Sequence, residues 1–369
     1  MLRWVVKTLW SQKTSVIVSS SGVAAAFVLV VILDAAFVGE SNQIVSYVRN
    51  ANPDVWVMQK GVSNMHMATT FVWDWKADRI AEIPGVKKAT PILYVNTIVH
   101  VGQQKLFAYL MGLKANGQRA GPWSIAAGKS HPARGEIILP YVLVKTAGVK
   151  LGDQAIVADT TFTIVGFSKE TFSMANSIAF VHFKDLEDLI DMNGNISFIL
   201  VDIDDDQKPE EMALRIEQEV DKVSAIPQKI FIENDFQIAL LMGVEIISFM
   251  TIIGSILAAL IIAFTMYSQV SKRRRELAII KALGYKNASL YFAVVFQSVI
   301  ITGLALLIAL GITWGLLPLL SAVSPMVTLD VTADALTRMT FIAGFIAIVS
   351  ALIPAHYVAR VDPQTAFKI

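Results

Sequence analysis

Few residues in this 369-residue chain are spaced for chemistry, and each cluster that suggests it has a competing structural reading. Ala127-Gly128-Lys129-Ser130 carries the end of a phosphate-binding loop, where glycine amides cradle phosphates and lysine reaches them. The first glycine of that motif falls at Trp123, however. Asn64-Met65-His66-Met67 sets two thioethers beside an imidazole, donors that suit a soft metal or haem iron. Strand neighbours point to opposite faces, so the run reads instead as a loop or an apolar surface. Asp202, Asp204, Asp205 and Asp206 lack the glycine and closing glutamate of a calcium loop. They read as a turn feeding a helix that starts near Pro209, with Glu210 and Glu211 complementing its N-terminal dipole. His66, His100, His131, His182 and His356 are dispersed, and neither a G-x-S-x-G elbow nor an H-E-x-x-H helix occurs. The sequence thus assigns no catalytic residue and no metal site.

What dominates is lipid compatibility. Hydrophobic residues make up 54% and charged residues 17%, against roughly 25% charged in a soluble domain. The 31 Lys+Arg nearly balance the 30 Asp+Glu, which gives no nucleic-acid partner, and the chain has no cysteine for disulfides or thiolate metal sites. A bilayer core needs about 20 apolar helical residues. Val16–Leu33, Ile246–Ser271 and Asn287–Leu329 carry no charge, and Met339–Ala359 contains His356 as its one group that titrates near neutral pH. The third stretch is too long for one span, and Pro318 is read as its end.

The cation bias sets the topology. Arg3, Lys7 and Lys13 precede the first span; Lys272, Arg273, Arg274, Arg275, Lys281 and Lys286 follow the second against Glu276 alone. Both segments are assigned to the cytoplasm, with the first span read as an uncleaved anchor. The resulting division is a cytoplasmic amphipathic segment (1–14), transmembrane helix 1 (15–38), an extracytoplasmic domain (39–237) and transmembrane helix 2 (238–270). A cytoplasmic helix (271–288), transmembrane helix 3 (289–318), an outer loop (319–336), transmembrane helix 4 (337–359) and a cytoplasmic tail (360–369) complete it.

Residues 38–238 hold 19 basic and 24 acidic residues, a net of −5, so the near-neutral total hides two oppositely charged faces. Strand-like runs at Val55–Met58, Ile92–Val101, Lys105–Leu113, Glu136–Leu139, Gln154–Val157, Phe162–Phe167, Ile178–Phe183 and Ile196–Asp202 alternate with helical ones at Lys76–Ile83, Leu143–Ala147, Phe183–Asp191 and Pro209–Val223. The fold class is a membrane protein with four transmembrane α-helices and a large α+β extracytoplasmic domain, in two lobes, between the first and second helices. Gly112–His131, rich in Gly, Ser and Pro, is expected to be a flexible excursion.

Asp34 and Glu245 lie close to the ends of apolar spans, where an acid either snorkels to water or serves gating or substrate contact. Gly22 and Ala25 are small enough for close helix approach. The most informative run is Val270 to Tyr285. After its basic first half, Leu277, Ile280 and Leu283 share an apolar side, Glu276 stands near the start and Gly284 supplies a C-terminal stop. This is a short amphipathic helix that either anchors at the membrane surface or docks a protein.

The run resembles the coupling segment of the MacB/FtsX-type ABC transporter permeases, a basic E-x-x-x-x-[KR]-A-L-G pattern, here Glu276 through Lys281-Ala282-Leu283-Gly284. Ile353-Pro354-Ala355 to Ala366 is similar to the family's closing P-A-x-x-A-x-x-x-P-x-x-A signature, and Ile83-Pro84-Gly85-Val86 and Gly152 to Gly166 add to the likeness. The resemblance implies a non-enzymatic permease subunit in the cell's inner (plasma) membrane with both termini cytoplasmic. It implies a homodimer served by two copies of a separate ATPase, which would bind ATP and Mg; no cofactor is expected in this chain. Arg274, Arg275, Glu276, Ile279, Ile280, Ala282, Leu283 and Gly284 become the coupling residues, and Gly22, Ala25, Asp34 and Glu245 candidates for the dimer interface or gating. The chain is closer to stand-alone permeases such as DevC-type exporters, which work with a membrane-fusion protein, or HrtB-type haem exporters. The implied activity is mechanical export or extraction of a hydrophobic or amphiphilic substrate from membrane lipid. The alternative is an FtsX-like relay that transports nothing and activates an extracytoplasmic partner such as a cell-wall hydrolase.

Overall fold

The computed structural model describes residues 2–11, 13–66, 69–114, 119–172, 177–241, 245–324 and 326–360. The chain forms two units. One takes the chain up to Val38, Glu245–Val323 and everything from Leu329 onward; the other takes the segment from Gly39 and Ser324–Thr328.

The helical unit contains α1 (Leu2–Ser11) and α2 (Lys13–Ile44), the latter passing on into the second unit. Later in the chain come α9 (Glu245–Lys272), α10 (Arg274–Ala282), α11 (Asn287–Val323) and α12 (Ala333–Ala359). Among the described residues four helices, α2, α9, α11 and α12, are long and apolar enough to cross a membrane. The buried residues of α9 form one ridge, Gly254, Ala258, Ile262, Met266 and Val270, spaced at i, i+4 so that they stack on one helix face. At Gly254 a Cβ would lie 3.1 Å from Val30 Cγ2, a close approach of α9 to α2 that a small residue permits.

Two helices run on past the ends assigned to their spans from the sequence. α2 does not stop at 38 but continues to Ile44, because Glu40, buried, accepts a hydrogen bond from the Thr328 amide at 2.9 Å, and its neighbours also find cover. α11 continues through Pro318 to Val323. Proline removes one donor to the Trp314 carbonyl, but in an apolar surrounding the flanking backbone groups have no water to turn to, so the helix resumes. In the second span the described helix α9 runs from Glu245, and residues 238–239 belong to the separate helix Gln228–Ala239.

The α+β unit opens with α3 (Ser46–Ala51), β1 (Val55–Gln59), β2 (Val72–Trp73), α4 (Trp75–Ala81), β3 (Val86–Val101) and β4 (Gln104–Leu113). It continues with β5 (Ile125–Gly128), β6 (Glu136–Pro140), α5 (Val142–Ala147), β7 (Gln154–Val157), β8 (Thr160–Ser168) and β9 (Ile178–His182). Last come α6 (Phe183–Ile190), β10 (Asn195–Ile196), β11 (Phe198–Ile203), α7 (Pro209–Glu219), β12 (Val223–Pro227) and α8 (Gln228–Ala239). One sheet runs β12-β1-β11-β3-β4-β9-β6-β8-β5, with β7 bonded to β3 and β8. The two expected lobes are joined through β3, which pairs with β11 over Val86–Ile92 and with β4 over Leu93–Val101. The excursion expected at Gly112–His131 contains the ordered strand β5, hydrogen-bonded to β8. Gly128 sits there at φ +82°, where a Cβ would strike the Val165 carbonyl.

Over β1, β9 and β11 both sheet faces are covered, which explains their near-continuous apolar runs, whereas β7 alternates between exposed and buried positions. Val55 and Val57 of β1 face a core shared with Ile80 of α4, Leu186 of α6 and Ile216 of α7. Trp56 and Met58 face the opposite core, shared with Val48 of α3 and Phe231 of α8. Phe231 stacks on Trp56 with centroids 4.6 Å apart and meets Phe198 edge-on at 5.8 Å. Phe231→Ala is expected to cost about 3–5 kcal/mol by leaving a cavity between them. Hydrogen exchange on the full chain should show faster exchange across residues 228–239, with the membrane helices unchanged.

Candidate functional site: the α10 coupling helix

A tight turn separates α9 from α10. The Arg273 amide bonds the Val270 carbonyl at 3.1 Å, and the Arg273 guanidinium reaches Glu276 at 2.6 and 3.1 Å across the first turn. The other end closes at Gly284, φ +89°, a left-handed position that favours glycine after a helix. There the Leu283 and Gly284 amides bond the Ile279 and Lys281 carbonyls.

The helix is anchored on one side. Leu277 and Ala278 are buried, Ile280 is half-buried, and Lys281 Nζ donates to the Ala359 carbonyl at 2.6 Å, at the electronegative end of α12. The opposite side is open: Arg274, Arg275, Glu276, Ile279, Ala282 and Leu283 are exposed, Ile279 by 46% and Leu283 by 74%. The expectation that Leu277, Ile280 and Leu283 share one apolar side is therefore corrected. At about 100° per residue, Leu283 stands some 120° round the helix from Leu277. Leu277 is the anchor, whereas Arg275, Ile279, Ala282 and Leu283 follow the i, i+4, i+7, i+8 pattern of a single exposed helix face.

A polar relay lies in the bundle near this helix. Gln297 of α11 donates to Gln269 Oε1 of α9 at 2.6 Å, and Gln269 Nε2 donates to Ser19 Oγ of α2 at 2.9 Å. Ser298 Oγ donates to the Ala347 carbonyl of α12 at 2.8 Å. Amides and hydroxyls tie membrane helices together in this way because lipid offers them no other partner. A search for charged residues passes over neutral amides, so the sequence reading missed this network.

Of the proposed interface or gating residues, Gly22 and Ala25 are exposed on α2, on a stripe with Val18 and Leu29, while Glu245 is exposed in the first turn of α9. Asp34 is buried and accepts from Arg338 Nη2 of α12 at 2.6 and 2.8 Å. The partner was missed because Arg338 falls just outside the charge-free stretch. Its opposite sign, in another mostly apolar helix, was the available signal.

The remaining chemical candidates resolve into structure. Met65 and His66 are buried; His66 Nδ1 lies 2.9 Å from Asp235 of α8, whose other oxygen accepts from the Met65 and His66 amides. Met67 lies outside the described residues, as does the closing signature beyond Arg360. The Tyr94 phenol donates to the Met65 carbonyl at 2.7 Å, and burial pushes its pKa well above the usual range, with Tyr109 and Asp235 adding to the shift. Asp202 pairs with Arg119, and Asp204–Asp206 form the turn before Pro209, the first residue of α7.

Lys129, the would-be phosphate lysine, pairs with Glu136 at 2.7 Å. That hydrogen bond, with one from the Ala133 amide at 2.9 Å, lowers the Glu136 pKa. Because the folded value is depressed, the pair stabilises the fold above the unfolded pKa of about 4.3 and is lost as pH falls through the folded value. Glu136→Gln is expected to be less stable than the parent at pH 7, by under about 1 kcal/mol for so solvated a pair. In denaturant titrations the gap should narrow as pH falls below about 4.3.

Four helices able to span a membrane, an α+β domain after the first and a short basic amphipathic helix after the second define a class of multipass membrane protein. Residues 16–219 match the MacB-like periplasmic core domain, and residues 248–363 match the FtsX-like permease C-terminal domain. The chain belongs to the MacB/FtsX-type ABC transporter permeases. It is 25% identical over 317 residues to an uncharacterized ABC transporter permease of Mycobacterium bovis, covering 85% of this chain and 84% of that one. A Mycobacterium tuberculosis permease is 26% identical over the same length and coverage. Among solved structures, the periplasmic region of MacB from Actinobacillus actinomycetemcomitans aligns at TM-score 0.38 and 13% identity, covering 52% of this chain and 96% of that one. The extracellular domain of the transporter YknZ from Gram-positive bacteria aligns at 0.37 and 10%, covering 47% and 100%.

Proposed function

We propose that this permease couples ATP hydrolysis by a separate ATPase, which binds the ATP and Mg, to export or extraction of a hydrophobic or amphiphilic substrate. The observation that carries this reading is the two-sided α10: a buried anchor at Leu277 and Ala278 beneath an exposed Arg275–Ile279–Ala282–Leu283 face. A helix held on one side and open on the other transmits a push rather than merely resting on the membrane. Closure of the ATPase dimer would press on that face, and Leu277 together with the Lys281–Ala359 bond would pass the load into the bundle. The cation bias supports an inner-membrane topology with both termini in the cytoplasm. The exposed Gly22–Ala25 stripe supports a homodimer packed through α2.

The test is a mild-detergent pull-down from the native membrane, with copurifying proteins and lipids identified by mass spectrometry. A stoichiometric ATPase with bound amphiphile or a membrane-fusion protein is expected. An ATPase accompanied only by an envelope enzyme would favour the FtsX-like relay, and a stable complex without any ATPase would overturn the coupling role.

A further inference from the structure

A groove of about 400 Å³ opens within the helical unit, between α1, α2 and α11. Leu9, Val16, Ile17, Ile300 and Leu304 form its apolar walls, and Trp10 and Lys13 complete the lining. Its size lies within the range of small-ligand sites. Trp10 is 72% exposed and Ile17 62%, an apolar surface that no described part of the chain covers. Lys13 Nζ stands over the Trp10 ring, 4.7 Å from its centroid. Among the described residues Lys13 makes no ion pair with a carboxylate, and the first acidic residue in the sequence is Asp34. Lys7, on α1, is also exposed, so the local charge is positive and uncompensated.

We propose that this groove binds one anionic phospholipid, with an acyl chain along the Ile17–Ile300–Leu304 walls and the phosphate on Lys13. Charge complementarity and the order of the lining residues carry the proposal. Ile17 lies one turn, about 6 Å, beyond Lys13 along α2, so a cation is followed by apolar wall in the sequence that an amphiphile presents. The indole beside the ammonium is the pairing that sits at a membrane–water interface, with the lysine stem lying along apolar surface and its charge in the headgroups. A second polypeptide helix in the groove would leave Lys13 without a counter-charge unless it brought one. The site is independent of the role proposed for α10.

Native mass spectrometry of the full-length protein in detergent tests this, with phosphatidylglycerol and phosphatidylcholine of matched chains titrated separately. Phosphatidylglycerol is expected to be retained about fivefold better, the preference that one lysine at an anionic headgroup supplies. Lys13→Glu should erase that preference. Leu304→Trp should remove the bound lipid whatever its headgroup, by filling the groove from a position already 41% exposed, where the larger ring does not disturb the bundle. Equal retention of the two lipids by the parent protein, or retention unchanged in both variants, would overturn the site. So would a Leu304→Trp variant that loses a dimer while keeping its lipid, since a second copy would then be the occupant.

Discussion

Leu283→Asp is expected to uncouple the permease from its ATPase while leaving the membrane bundle intact. Leu283 is 74% exposed and touches no core, so the replacement costs the isolated subunit almost nothing. At a docking face the same side chain would be desolvated, and a carboxylate there is both unpaired and buried. Loss of one such anchor costs about 2–4 kcal/mol, which lowers ATPase affinity by roughly 30- to 1000-fold. Ile279→Asp should behave alike, one turn earlier on the same face. Glu276→Arg probes the electrostatic part: its pair with Arg273 is half-exposed and worth at most about 1 kcal/mol, so α10 persists while the surface charge reverses. The contrasting variant is Leu277→Ala, which removes the anchor and should lower the thermal stability of the bundle itself. Copurification of the ATPase and its stimulated turnover, read beside insertion and melting, separate the two classes. Intact coupling in both Leu283→Asp and Ile279→Asp would remove α10 from the mechanism.

How much of this was legible in the sequence depends on the range of the forces involved. Burial of apolar surface acts residue by residue, so the charge-free runs marked all four spans and the short apolar runs in 105–113 or 154–157 marked strands. Side-chain period also announced α10, although the orientation of Leu283 needed the helix to be built. What sequence did not disclose is pairing at a distance. Tyr109–Leu113 lies parallel to Ile178–His182, and no local pattern records that register. α8 was missed for a different reason: Lys229, Glu233 and Asp235 interrupt its apolar residues just ahead of the second span, so a helix packed on Trp56 does not stand out from the approach to a membrane helix. The same limit applies to Asp34 and to Gln269, whose partners lie hundreds of residues away or on another helix. A buried polar group advertises that it needs a partner, not which one.

Asp34 therefore leads to the second large effect. Its carboxylate is nearly enclosed, with the side chain 8% exposed, and Arg338 donates from α12 to both of its oxygens. Removing the arginine leaves a charge in an apolar bundle with no cation in place, so Arg338→Ala is expected to destabilise the bundle by about 2–4 kcal/mol, tempered by the half-exposed guanidinium. Asp34→Asn should cost less, because the amide oxygen still accepts from Arg338 and no charge is stranded in the interior. The Asp34→Ala/Arg338→Ala pair should recover much of the single-variant loss, since neither charge is then left alone, and the cycle yields the coupling energy directly. If the pair is only a brace, transport and ATP turnover follow stability in all these variants. A gating role requires more: Asp34→Asn would alter turnover by an amount its small stability change does not account for. Thermal melting and turnover measured on the same reconstituted protein distinguish the brace from the gate, and a double variant no more stable than Arg338→Ala would show that the ion pair holds neither.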